Sequence, residues 1–96
     1  MTQNKPLSFI EELTLKVAVF IASKDHMITA FLQQTGTTID TLKETLATPD
    51  TQASLLDFIL EQDSVLLSFC DSSPYEPDDV WHCRKQLPGF NIWDSI

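Results

Sequence analysis

Glycine is nearly missing from this chain, with Gly36 and Gly89 the two it has in 96 residues. A loop that cradles phosphate needs several glycines close together, so glycine-rich nucleotide binding is excluded. Bases are scarce as well: six stand against fourteen acids, for a net charge of −8. Lys5, Lys16, Lys24, Lys43, Arg84 and Lys85 are scattered apart from one adjacent pair. Nucleic-acid affinity draws on clustered Lys and Arg, so that class of partner is excluded, and an anionic membrane surface is disfavoured for the same reason. Two cysteines do not make a disulfide framework. The longest apolar run, VAVFIA, falls far short of a membrane span. The start, MTQNKPLSFIEE, lacks the basic region, long apolar stretch and cleavage site of a secretory leader. These absences lead us to expect a cytoplasmic protein with neither a membrane nor a nucleic acid as partner.

What remains is helical. Apolar residues recur at helical spacing, and few prolines or glycines interrupt them. The pattern predicts a first helix from about Ser8 to Ser23 with Leu13, Val17, Phe20 and Ile21 on one face. A second helix is capped by Asp25, carries Met27, Ile28, Phe31 and Leu32, and stops at Gly36. A third begins near Thr38 with Ile39, Leu42 and Leu46 inward. Thr48-Pro49 opens a fourth, with Pro at a first-turn position where its missing N–H costs nothing. The fourth holds Leu55, Leu56, Ile59 and Leu60. Asp63 caps a fifth with Val65, Leu66, Phe69 and Cys70, and a sixth carries Val80, Cys83 and Leu87.

The second half echoes the first. FIASKDHMITAFLQQ, from residue 20, and FILEQDSVLLSFCDS, from residue 58, match as Phe20/Phe58, Ile21/Ile59, Asp25/Asp63 and Phe31/Phe69, at an offset of 38. In the sixth helix the offset becomes 41, so the loop at residues 71–79 holds three extra residues. The copies share apolar positions and a helix-start Asp, and nothing reactive. The expected fold is therefore all-α: a compact bundle of about six helices forming one domain over residues 1–96. Two three-helix units, about 8–47 and 48–88, would be related by an approximate internal two-fold, with an apolar tail at 89–96.

Candidate chemistry is thin. Cys70, His82 and Cys83, with His26 as a conceivable fourth group, are the one cluster of metal-ligand character, and they raise the alternative of a metal- or thiol-responsive regulator. Their spacing is not that of paired C-x-x-C zinc motifs. Both cysteines also fall where the first copy has Leu32 and Leu42, and buried Cys behaves as a small hydrophobe. The acids Glu11, Glu12, Asp57, Glu61, Glu76, Asp78 and Asp79 fit helix first turns or solvated faces. The twelve-residue stretch from Asp71 to His82 has Glu at the glycine position of a calcium loop and His at its last ligand position. AFLQQTGTTIDTLKETL has the outline of a helix-turn-helix, but its reading face offers one base among two acids.

The runs FLQQTG, LLDFILEQDSVLLSFC and RKQLPG, with a late WDS, resemble a small alphaproteobacterial family known only as domain of unknown function 3572. The resemblance spans about residues 9–94. Its usual helix starts, Asp-Pro and Asp-Glu, stand here as Asp25-His26 and Asp63-Ser64. It implies an all-helical bacterial domain and supplies no activity, cofactor or catalytic residue.

The reading that follows is a small acidic module without catalysis or cofactor, acting through a protein partner or self-association. Leu15, Val19 and Ala22 put a second apolar face on the first helix, to be buried inside the domain or covered by a partner. Phe90, Ile92, Trp93 and Ile96 crowd the tail. The tail is expected to fold over a groove between the two copies; the alternative is that Phe90, Ile92 and Trp93 contact a partner, as large aromatics at interface centres do.

Overall fold

Helix ends in this chain coincide with residues whose chemistry suits an end. A computed structural model of the protein describes residues 7–89. It contains α1 (Leu7–Ala22), α2 (Asp25–Thr35), α3 (Ile39–Thr45), α4 (Pro49–Leu60), α5 (Asp63–Asp71) and α6 (Pro77–Lys85), with no strand among the described residues. Gly36 adopts φ +72°, and its N–H reaches the Leu32 carbonyl at 2.9 Å, closing α2 in the left-handed conformation that glycine adopts without strain. The Thr38 and Thr48 hydroxyls accept the Thr41 and Thr51 amides at 3.2 and 3.4 Å, so both are side-chain N-caps. At α6 the Glu76 N–H donates to the Asp79 carboxylate at 3.0 Å, and Asp78 and Asp79 fill the first turn as expected.

Asp25 and Asp63 are not the caps they were expected to be. Each helix starts one residue earlier, with Lys24 and Gln62 as extended N-cap residues that make no side-chain cap bond. The Lys24 carbonyl accepts the Met27 and Ile28 amides, and the Gln62 carbonyl accepts those of Val65 and Leu66. The aspartates occupy the first helical turn, where the helix dipole favours their charge.

α4 is the central element and packs against α1, α5 and α6. Leu55, Leu56 and Ile59 of α4 are fully buried, as are Leu13, Val17 and Ile21 of α1. Each such side chain contributes about 1.5–3 kcal/mol of burial energy. The four repeated phenylalanines pair crosswise. Phe20 of α1 meets Phe69 of α5 edge-on at 5.5 Å, and Phe58 of α4 meets Phe31 of α2 edge-on at 5.5 Å. Moving 38 positions along the chain turns one pair into the other. α1 packs on α2 as α4 packs on α5.

The third helices break the likeness. α6 packs on α4 and α5, while α3 meets the rest only lightly. Val80, Cys83 and Leu87 are buried, whereas Ile39, expected inward, is 39% exposed and Leu46 is half-buried. An ion pair distinguishes α6 from α3. Arg84 of α6, itself buried, donates from Nε and Nη2 to the two Asp57 carboxylate oxygens at 2.6 and 3.2 Å, and from Nη1 to the Leu87 and Pro88 carbonyls. This fork ties α6 to α4 and sets the turn that follows it. In the first unit, Lys43 follows Leu42 as Arg84 follows Cys83, and Val19 precedes Asp57 by 38 positions. No counterpart of the fork is possible there. The three extra loop residues also serve the second unit: buried Tyr75 stacks on Phe69 at 6.1 Å and meets Phe9 edge-on at 5.6 Å. Phe90, Ile92, Trp93 and Ile96, on which the expectations for the tail rest, lie outside the described residues.

Candidate functional site

The sequence candidates for metal or thiol chemistry do not assemble. Among the described residues no three His, Cys, Asp or Glu side chains are placed to hold a metal ion, so Cys70, His82 and Cys83 form no ligand set. The two thiols are not bonded to each other. Cys83 is wholly buried in the core beside Val80 and Leu87, and Cys70 is half-buried against it. Burial pushes the Cys70 thiol above its ordinary pKa, and the nearby charges of Asp71, Asp79 and Glu76 push it further. A thiol held protonated is a poor nucleophile and a poor ligand. His26 is exposed in the first turn of α2.

The informative surface is the outward side of α1. Leu15 and Val19 are 52% and 60% exposed, and Ala22 is exposed beside them. Spacings of four and three residues line these side chains up along one face. The positions 38 further on are Ala53, Asp57 and Leu60 of α4. Ala53 is buried and Asp57 holds the α6 arginine. Among the described residues no helix covers the corresponding face of α1, where Val19 stands at the position matching Asp57.

Two grooves between the units develop the comparison. One, of about 290 Å³, runs between α1 and the end of α5 and is lined by Lys16, Val19, Phe20, Ser23, Lys24, Phe69, Ser72 and Ser73. The other, of about 240 Å³, lies between α2 and the end of α4 and is lined by His26, Met27, Ala30, Gln34, Phe58, Glu61, Gln62 and Val65. The Phe20, Ser23, Lys24 and Ser72 positions of the first become Phe58, Glu61, Gln62 and Gln34 of the second under the 38-residue exchange. The second groove is bridged: the Gln34 amide donates to the Glu61 carboxylate at 2.8 Å, joining α2 to the end of α4. Among the described residues the first has no such bridge. Ser23 and Ser72 are short, and their hydroxyls turn back to the Phe20 and Phe69 carbonyls of their own helices at 2.8 and 3.1 Å. Lys24 Nζ lies 4.8 Å from the Phe20 ring centroid, over its face, a cation–π contact that keeps the ammonium at the groove mouth.

Sequence reasoning placed Asp57 and Glu61 on solvated faces; the first anchors α6 and the second bridges the α2–α4 groove. A base recurs at Lys43 and Arg84 while Val19 and Asp57 diverge, but nothing in that spacing pairs Arg84 with Asp57. Neither the groove nor its bridge was visible, because both depend on how the units meet.

A family model described as protein of unknown function, DUF3572, matches residues 9–90, and the chain belongs to that family. No curated protein and no solved structure matches it.

Proposed function

We propose that this member of the DUF3572 family is a protein-interaction module that docks a partner on the outward face of α1 and catalyses no reaction itself. One observation carries the reading: Leu15, Val19 and Ala22 are uncovered on α1, while the corresponding face of α4 is occupied by α6. A helix face bare in one unit and filled in the other is a seat whose counterpart already has an occupant. Exposed apolar side chains clustered in this way mark contact surfaces. A third cavity of about 250 Å³, formed by Glu11, Leu15, Leu46, Ala47 and Gln52, extends the face along its other flank. The acidic charge and scattered bases favour a protein over a nucleic acid. No helix among the described residues is long and apolar enough to cross a membrane. Two cysteines not joined in a disulfide suit a reducing compartment such as the cytoplasm.

The test compares Val19→Glu with Leu67→Glu, which alters another exposed apolar residue, on α5. Proteins crosslinked to the full chain in its native host are quantified for wild type and both variants. We expect one captured protein to be lost with Val19→Glu and retained with Leu67→Glu. Identical capture by all three chains would defeat the docking reading.

A further inference from the structure

We propose that the α1–α5 groove receives an acidic, apolar-anchored peptide segment of the partner, an inference that rests on the docking reading above. Charge complementarity is the first argument. The chain carries −8 overall, yet two of its six bases, Lys16 and Lys24, stand at this one groove. Its floor is apolar, made by Val19, Phe20 and Phe69. The second argument comes from the molecule's own counterpart. The α2–α4 groove has neutral Gln62 where Lys24 stands, and Gln34 and Glu61 bond across it. Among the described residues the α1–α5 groove is unbridged and basic, so one of two related clefts is spanned by its own side chains and the other presents ammonium groups to a carboxylate.

The order of the groove's lining, base, apolar residues, base, specifies the segment. Lys16 stands on α1, and Lys24 lies past the end of that helix at Ala22, as the extended residue before α2, so the two bases bracket Val19 and Phe20 along the chain. In an extended peptide, side chains at i, i+2 and i+4 lie on one face, so two acids can flank one apolar side chain. The fitting pattern is acid, any residue, large apolar, any residue, acid. The carboxylates then meet the two ammonium groups while the apolar side chain packs on the exposed Val19. The net charge of the chain repels such a peptide at long range, so salt dependence has two opposing parts. Reversing the charge of the lysines is the cleaner probe.

The test uses the isotope-labelled full chain and the end-blocked peptide Asp-Ala-Phe-Ala-Asp, followed by amide chemical shifts, with Lys-Ala-Phe-Ala-Lys as control. We expect shifts at residues 19–24 and 69–73 and none around Phe58 and Gln62. Lys24→Glu should weaken binding about tenfold. The Lys16→Glu/Lys24→Glu double variant should prefer the lysine peptide, a gain that a misfolded chain could not give. Equal binding of both peptides to wild type would overturn the proposal. So would shifts at residues 19–24 and 69–73 that grow with protein concentration before peptide is added, which would assign the groove to a second copy. A silent peptide together with intact Val19-dependent capture would overturn the acidic-segment assignment and leave the docking face standing.

Discussion

α3 and α6 begin from the same apolar spacing, Ile39, Leu42 and Leu46 against Val80, Cys83 and Leu87, and reach different ends. α6 buries all three, while α3 leaves Ile39 exposed. Apolar periodicity therefore decides that a helix forms and which face it favours. It does not decide whether that face docks. Docking here follows the Arg84–Asp57 fork and the longer loop that brings Tyr75 onto Phe69. The unit without these devices keeps a looser third helix and a bare face on α1, which is the face assigned to a partner.

The sharpest way to break this comparison is at the crossed phenylalanines. Phe69 is almost fully buried and touches both Phe20 and Tyr75, whereas Phe58 is half-buried and meets Phe31. Phe69→Ala should cost about 4 kcal/mol, and Phe58→Ala about 2 kcal/mol because it removes less buried surface. Urea denaturation of both variants checks the ratio. Equal losses would mean that the loop contributes nothing to the tighter packing of the second unit.

The fork is the next target. Asp57→Ala takes the Asp57 carboxylate from the buried Arg84 guanidinium, though the Leu87 and Pro88 carbonyls still accept from it. Asp57 is 52% exposed, which reduces the penalty from that of a fully buried pair, and a loss of about 2 kcal/mol is expected. Lys43→Ala, at the corresponding place in the first unit, should stay within about 0.5 kcal/mol. Thermal melts of the pair make the check, and hydrogen exchange should show α6 opening first in the Asp57 variant.

What the sequence yielded and withheld follows the same division. Helix number, helix ends and the buried faces of α1, α4 and α5 were legible, because Gly36, Thr38, Thr48 and Pro49 act locally and Leu13, Val17, Leu55 and Ile59 repeat at helical spacing. The capping role given to Asp25 and Asp63 failed by one position, a shift that local chemistry does not resolve, since an acid is favourable at either site. The exposed Ile39, the Arg84–Asp57 fork and the unequal grooves were not legible. Each depends on a contact between residues far apart in sequence, 27 positions for both Arg84–Asp57 and Gln34–Glu61.

A smaller effect separates the units by pH. Cys70 and Tyr75 both belong to the second unit, and in both the pKa is raised first by burial and then by neighbouring charges. The fold favours their protonated forms, so their contribution is intact below the ordinary pKa values, 9.0 for the thiol and 10.0 for the phenol. Above pH 9.0 the unfolded chain gives up protons that the folded chain retains, and stability falls as pH rises. Melting temperature should decline more steeply from pH 9.0 to 10.0 in wild type than in a Cys70→Ala/Tyr75→Phe double variant. Parallel slopes would remove these two groups as the cause.

The smallest effect expected is at the bridge that distinguishes the grooves. Gln34 and Glu61 are exposed, so their bond contributes modestly, and Gln34→Ala should cost only about 0.5 kcal/mol. Its value lies in the reciprocal change. Ser23→Glu with Ser72→Gln writes the Glu61 and Gln34 chemistry into the α1–α5 groove, where the backbone places the two positions on opposite sides of the cleft. If the grooves are equivalent in frame and differ only in side chains, the graft should raise stability by about 0.5 kcal/mol and close the basic groove. The introduced carboxylate would also pair with Lys24, removing the positive rim that an acidic segment requires. Binding of Asp-Ala-Phe-Ala-Asp should then vanish while the helical circular dichroism is unchanged. A grafted protein that still binds the peptide as wild type does would mean that the serines and the open cleft are incidental, and that the two grooves differ in backbone shape rather than in chemistry.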